Sequence, residues 1–107
     1  QNKRTEALEK LASLFGTNEI YIADMCRFQH AWLTYLHGET DSTKIQLSEI
    51  KNETIFLELS HIFEAEILDY IDNNISTAID SYLKFLELYP QSIYYDDVRL
   101  RLRELAS

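Results

Sequence analysis

Three sets of side chains in this sequence have types and spacings that could do chemistry. Glu58-x-x-His61 has the helical spacing of a carboxylate-bridged di-metal site, and Glu64 adds an oxygen one turn on. Such a site needs a second Glu-x-x-His and two further glutamates. His30 follows Arg27 by three and His37 follows Thr34 by three, so the second half is missing. A solvated helix face accounts for these residues at less cost. Cys26 and His30, four apart, share one side of a helix and have the spacing of a thiolate–imidazole pair. A small buried thiol near a surface imidazole is the simpler account. Arg27, His30, Thr34 and His37 form a polar stripe that could hold a carboxylate or sense acid, though such a stripe is more often simply the wet side of a helix. No phosphate loop, serine elbow or paired-cysteine site appears, and two glycines are too few for a nucleotide cradle. The expectation is therefore no catalytic residue, no cofactor, no metal and no enzyme activity.

The elements that position these residues must be helices. The chain has 107 residues, 46 % of them apolar, which supports a real core and excludes disorder. Glycine and proline are too scarce for strands joined by tight turns. The net charge of −8 repels phosphate backbones and anionic lipid surfaces, so a nucleic-acid partner is not expected. One cysteine excludes an internal disulfide. No apolar run approaches the roughly 20 residues of a membrane span. The chain begins at Gln1 rather than methionine, as expected of a processed or excised piece of a longer protein. The compartment stays open between the cytoplasm and a bacterial envelope.

Breaks at Gly16, Gly38, Asn73-Asn74 and Pro90, with a further one near Lys51-Asn52, separate segments of helical period. They predict helices over about 5–15, 19–37, 41–50, 53–72, 75–89 and 94–106. Asn18, Asp41 or Ser42, Asn52 and Asn74 are the natural caps. Asn52 and Asn74 also open glycan-acceptor triplets, which matter only in a secreted eukaryotic protein. Between Ile75 and Tyr89 the polar positions trace one narrow stripe, so that helix is covered on two sides. Pro90 cannot continue it and pushes Tyr89 toward extended backbone. Asp96 and Asp97 then sit at the positive end of the closing helix. Val98, Leu102 and Leu105 point inward from it. Arg99, Arg101 and Arg103 could touch an acidic partner, though pairing with Asp96 and Asp97 on their own helix is the cheaper expectation.

The sequence echoes itself at an offset of 35. Phe28 meets Phe63 and Val98, Trp32 meets Ile67 and Leu102, and Leu36 meets Ile71. Gly38 lands on Asn73, both tolerant of left-handed backbone. Thr43, Leu47 and Ile50 land on Ala78, Tyr82 and Phe85. The misfits are Ala31 on Glu66 and Lys44 on Ile79. A helical pair at this period, with Ala78, Tyr82 and Pro90 in "TAIDSYLKFLELYPQS", resembles a tetratricopeptide repeat. "AWLTYLHGETDST" similarly resembles the end of a first helix, its turn and the start of the second. The closing "YPQSIYYDDVRLRLREL" resembles the end of tetratricopeptide arrays in bacterial envelope-assembly lipoproteins. The likeness covers most of the chain and is strongest over its C-terminal part. It departs from the family pattern at Glu66 and Phe85, which occupy small-residue positions, and at Thr43, where alanine is usual.

The resemblance implies an all-α domain over 1–107. Antiparallel helical hairpins would stack as a short α-solenoid, with about two degenerate repeats at 19–50 and 53–89, flanking helices at 5–15 and 94–106, and the last helix as a cap. It implies a non-catalytic scaffold or protein–protein interaction module, the C-terminal end of a longer array, holding a protein or peptide partner. The acidity favours a basic one. In this family first helices line the inner curve that receives peptides, which makes Trp32, Tyr35 and Tyr70 the candidate partner-binding residues. Repeat-matched aromatics are more usually core, and Phe28 and Phe63 belong to the same set. The rival functions are a compact helical subunit that uses its apolar edge for homo-oligomerisation and, more remotely, a metal-dependent helical-bundle enzyme.

Overall fold

The computed structural model describes residues 19–107 and, before them, Glu6 alone. The expected helix over 5–15 (beyond Glu6) and the Asn18 cap lie outside the described residues. Among these the protein is all-helical. Helix α1 spans Glu19–Leu36, α2 Thr40–Ser48, α3 Ile55–Glu66, α4 Ile75–Leu88 and α5 Tyr95–Ala106. A π-helical turn, Ile67–Ile71, extends α3. The chain divides into two compact units, 1–57 and 58–107, and α3 runs through the junction.

In the first unit α1 packs against α2 as a hairpin. The turn between them closes through Gly38 at φ 81°. Gly38 N–H donates to Tyr35 C=O at 2.9 Å and Glu39 N–H to Thr34 C=O at 3.2 Å. That pair of bonds satisfies carbonyls that the helix end would leave orphaned, and it needs a left-handed residue. Helix α2 begins one residue before the expected Asp41 or Ser42 cap. Glu39 holds the cap position without a side-chain bond, while Asp41 lies in the first turn, 3.6 Å from Lys44. Thr43 donates its hydroxyl to Glu39 C=O at 2.8 Å, which lets a polar residue sit fully buried beside Leu47 and Ile50. From α1 the unit buries Ala31, and Phe56 packs its ring against Tyr21 and Phe28.

The second unit has a denser core. Ala65 and Leu68 meet Ala78, Tyr82 and Phe85 of α4 and Val98 of α5, with Leu102 and Leu105 packed at the edge as their spacing predicts. Asn73 closes the turn into α4 at φ 54°, the counterpart of Gly38. Asn74 caps α4 as expected, accepting from Thr77 N–H at 3.4 Å. Helix α4 ends at Leu88, two residues before Pro90, and Tyr89 leaves it at φ −129°, ψ 63°.

The misfit in the echo has a physical cause. Ala31 and Ala65 are both fully buried, and they are 34 residues apart. Gly38 and Asn73 are 35 apart, as are Thr43 and Ala78, Leu47 and Tyr82, and Ile50 and Phe85, all six of these last buried. One residue has therefore been added between Ala65 and Asn73, where the π turn lies. Asp72 N–H reaches back five residues to Ile67 C=O at 2.9 Å, and Asn74 N–H six residues to Leu68 C=O at 2.8 Å. Each loop is one residue wider than the α-helical equivalent. The buried small residue here is Ala65, and Glu66 is exposed.

Candidate functional site

The π turn positions the most connected side chain of the second unit. Asp69 follows Ala65 by four, so it falls on the buried face, and it is 2 % exposed. Its carboxylate accepts from the Tyr82 hydroxyl at 2.8 Å, from Arg101 Nε at 2.7 Å and from Arg101 Nη2 at 2.8 Å. The two-pronged arginine contact is the strongest geometry available to a carboxylate. Arg101 also lies 4.8 Å above the Tyr70 ring, and its Nη1 reaches Glu104 at 3.3 Å. The Arg101 hydrogen bonds hold the Asp69 carboxyl below its usual range against the opposing effect of burial, with help from Tyr82. Burial, and then the hydrogen bond to Asp69, pushes the Tyr82 hydroxyl upward, so it stays a donor. Both Asp69 oxygens are filled, and the Tyr82 proton is committed. The cluster offers neither a free base nor a nucleophile: it clasps the π turn to α4 and α5.

This is a correction for Arg101, which pairs with Asp69 of another element and with Glu104 rather than with Asp96 or Asp97. The reason is its position three residues after buried Val98, on the face that meets the core. Arg99 keeps the expected partner, Asp96, at 3.7 Å.

Beside the clasp is a pocket of about 330 Å³. Glu66, Tyr70, Tyr94 and Asp97 form its walls, and Tyr82 and Arg101 also line it. Burial, and then the nearby Asp69, raises the Glu66 carboxyl above its usual range.

The Trp32 and Tyr35 rings stack at 5.6 Å and 25° on α1, with Trp32 46 % exposed. Tyr70 is 57 % exposed over Arg101. Trp32 and Tyr70 are therefore surface residues, and the core alternative fails for them, whereas Phe28 and Phe63 are half-buried. Cys26 is exposed, not buried. It lies two residues beyond the buried Asp24, and so on the far side of α1. His30 is exposed as well, and Thr34 and His37 bond backbone carbonyls of α1. Glu58 accepts from the Ser92 hydroxyl at 2.6 Å, and the His61 ring lies 5.8 Å from Tyr89. Burial, and then Lys84, lowers the His61 imidazole, against Glu64. Among the described residues no three His, Cys, Asp or Glu side chains converge as a metal site would need.

Asn52 does not cap α3. Its amide donates to Asp24 at 3.3 Å, and Thr54 donates to the same carboxylate at 2.9 Å. Thr54 instead takes the cap-like role, accepting from Phe56 N–H at 3.3 Å. Sequence reasoning missed both buried acids, Asp24 and Asp69. The available signal was an aspartate in register with a buried alanine, at i+4 for Ala65–Asp69 and i+7 for Asp24–Ala31. No protein-family model, curated protein or solved structure matches the chain. No helix among the described residues is long and apolar enough to cross a membrane.

Proposed function

We propose that the protein is a tetratricopeptide-like, non-catalytic interaction module, part of a scaffold that holds a protein or peptide partner. The observation that carries this reading is one hairpin design used twice. A left-handed residue, Gly38 or Asn73, closes each hairpin. A buried trio, Thr43-Leu47-Ile50 or Ala78-Tyr82-Phe85, recurs at one offset. Repetition of a supersecondary unit is the basis of helical solenoids, in which neighbouring pairs supply each other's apolar cover. The filled hydrogen bonds of Asp69 also favour a structural over a catalytic role.

The partner would be met by exposed Trp32, stacked on half-buried Tyr35 of α1, and by Tyr70. Aromatics of this kind are the usual anchors of protein interfaces. A net charge of −8 speeds the approach of basic partners. The test is selection from a displayed random-peptide library, followed by binding measurements on Trp32→Ala and Tyr35→Ala. Enriched peptides that lose binding to either variant support the reading. Peptides indifferent to both remove the aromatic surface from it. A stable dimer at low concentration by light scattering would instead favour self-association. The exposed Trp32, Leu33 and Leu36 at the end of α1 make that the second reading.

A further inference from the structure

We infer that the pocket beside the clasp is a binding site for one cationic side chain, a lysine or arginine presented by a partner peptide, held between the carboxylates of Glu66 and Asp97 and the rings of Tyr70 and Tyr94. The inference goes beyond the repeat architecture and does not depend on the aromatic pair of α1.

Four observations converge on it. The volume, about 330 Å³, lies at the small end of ligand sites and suits a side chain rather than a nucleotide or a cofactor. The charges select a cation. Glu66, Asp69 and Asp97 set three negative charges against the positive charge of Arg101, whose hydrogen bonds already go to Asp69 and Glu104. An anion entering here would meet a guanidinium already engaged and two carboxylates still free. Among the described residues, Glu66 and Asp97 accept no hydrogen bond and form no ion pair. The walls suit a cation too, because tyrosine rings attract ammonium and guanidinium groups at short range and two of them line the pocket. Arg101 shows the same affinity, seated over Tyr70.

The π turn is the independent observation. An extra residue in a helix worsens hydrogen-bond geometry, and such turns occur frequently at functional sites. Glu66 directly precedes this turn and Tyr70 lies within it, four residues on, and both line the pocket. The raised Glu66 carboxyl agrees with a site that lacks its counter-charge.

The test is an NMR titration of the full chain, at low salt, with blocked Gly-Lys-Gly and Gly-Arg-Gly, with the norleucine analogue as the uncharged control and putrescine as a free diamine. Saturable shifts of the Tyr70, Tyr94 and Glu66 signals with either basic peptide, and not with norleucine, are expected. The double variant Glu66→Gln/Asp97→Asn, which removes both pocket carboxylates at nearly constant shape, should weaken binding about tenfold. Its circular dichroism and urea midpoint confirm that it is folded. Trp32→Ala must leave this binding unchanged, so failure of the aromatic surface and failure of the pocket are told apart. Norleucine binding as well as lysine, the double variant binding as the parent does, or no shift at millimolar peptide each overturns the proposal. Putrescine shifting these signals when neither peptide does overturns the peptide assignment.

Discussion

Asp24 and Asp69 are both buried aspartates, one in each unit, and they are satisfied by different means. Asp24 takes its bonds from the loop before α3, from Asn52 and Thr54, and from half-exposed Arg27 one turn along its own helix. Asp69 takes its bonds from two further helices, through the Tyr82 hydroxyl on α4 and both prongs of Arg101 on α5. The first arrangement pins a loop. The second cross-links three elements, and it coincides with the extra residue of the π turn. A second pair of contacts is alike in the two units. Thr54 donates to Asp24 and Ser92 to Glu58, and Asp24 and Glu58 are 34 residues apart. Each hydroxyl also accepts from the backbone N–H two residues on, of Phe56 and Tyr94. The two units thus share hairpin closures and acid–hydroxyl latches. They differ in where the matching charge comes from, Arg27 on the helix that carries Asp24 and Arg101 on a separate helix from Asp69, and there the second unit departs from its α-helical register.

Phe85→Ala should cost about 4 kcal/mol and Ile50→Ala about 3 kcal/mol in urea unfolding, since both side chains are fully buried and phenylalanine leaves the larger cavity. A larger loss at Ile50 would show that the first unit has the tighter core. Asp69→Asn should cost about 2 to 3 kcal/mol, because an amide keeps one acceptor oxygen and no charge where the carboxylate serves Tyr82 and both prongs of Arg101, and Asp24→Asn about 1 to 2 kcal/mol. Equal losses would erase the distinction between the two acids. Smallest are the hairpin turns. Gly38→Ala should cost about 1 kcal/mol from backbone conformation alone, since no atom lies within 4 Å of an added Cβ. Asn73→Gly should be neutral or gain a few tenths of a kcal/mol.

Titration sharpens the picture of the second unit. The folded Asp69 carboxyl lies below its unfolded value of about 4, so its contribution is complete at neutral pH and is lost as pH falls from about 4 through the folded value. The gap in urea midpoint between the parent and Asp69→Asn should therefore persist to about pH 5 and close only below about pH 4. His61 is also lowered, from about 6.5, so folding favours its neutral form and stability falls as pH drops through about 6.5 toward the folded value. His61→Gln should flatten the stability profile between about pH 7 and 5, and a profile unchanged by that substitution would contradict the assignment.

Much of the helical framework was legible along the chain. Apolar periodicity and the Gly, Asn and Pro breaks place α1, α2, α4 and α5 within a residue or two of their observed limits, because those signals are local. The Gly38–Asn73 correspondence was legible for the same reason, both residues being able to adopt positive φ. What failed depended on partners distant in sequence. Asn52 looked like a cap until Asp24, 28 residues away, claimed its amide. Cys26 looked buried until Asp24 and Ala31 fixed the inward face of α1. Arg101 looked like a helix-surface pair until Asp69, 32 residues earlier, took two of its donors. The Ala31–Glu66 misfit was visible, but one added residue in an apolar segment has no local signature.

The sequence by itself determined that this protein is helical, where most helices start and stop, and which two positions close its turns. Those properties follow from backbone sterics and periodicity over a few residues. Only the tertiary structure decided which charged groups are buried and paired, that a π turn absorbs the extra residue, and that two carboxylates and two tyrosines face one pocket. The reason is that a charge is stable in a protein interior only when complementary groups from other elements meet it, and that meeting is set by packing between segments rather than by order along the chain.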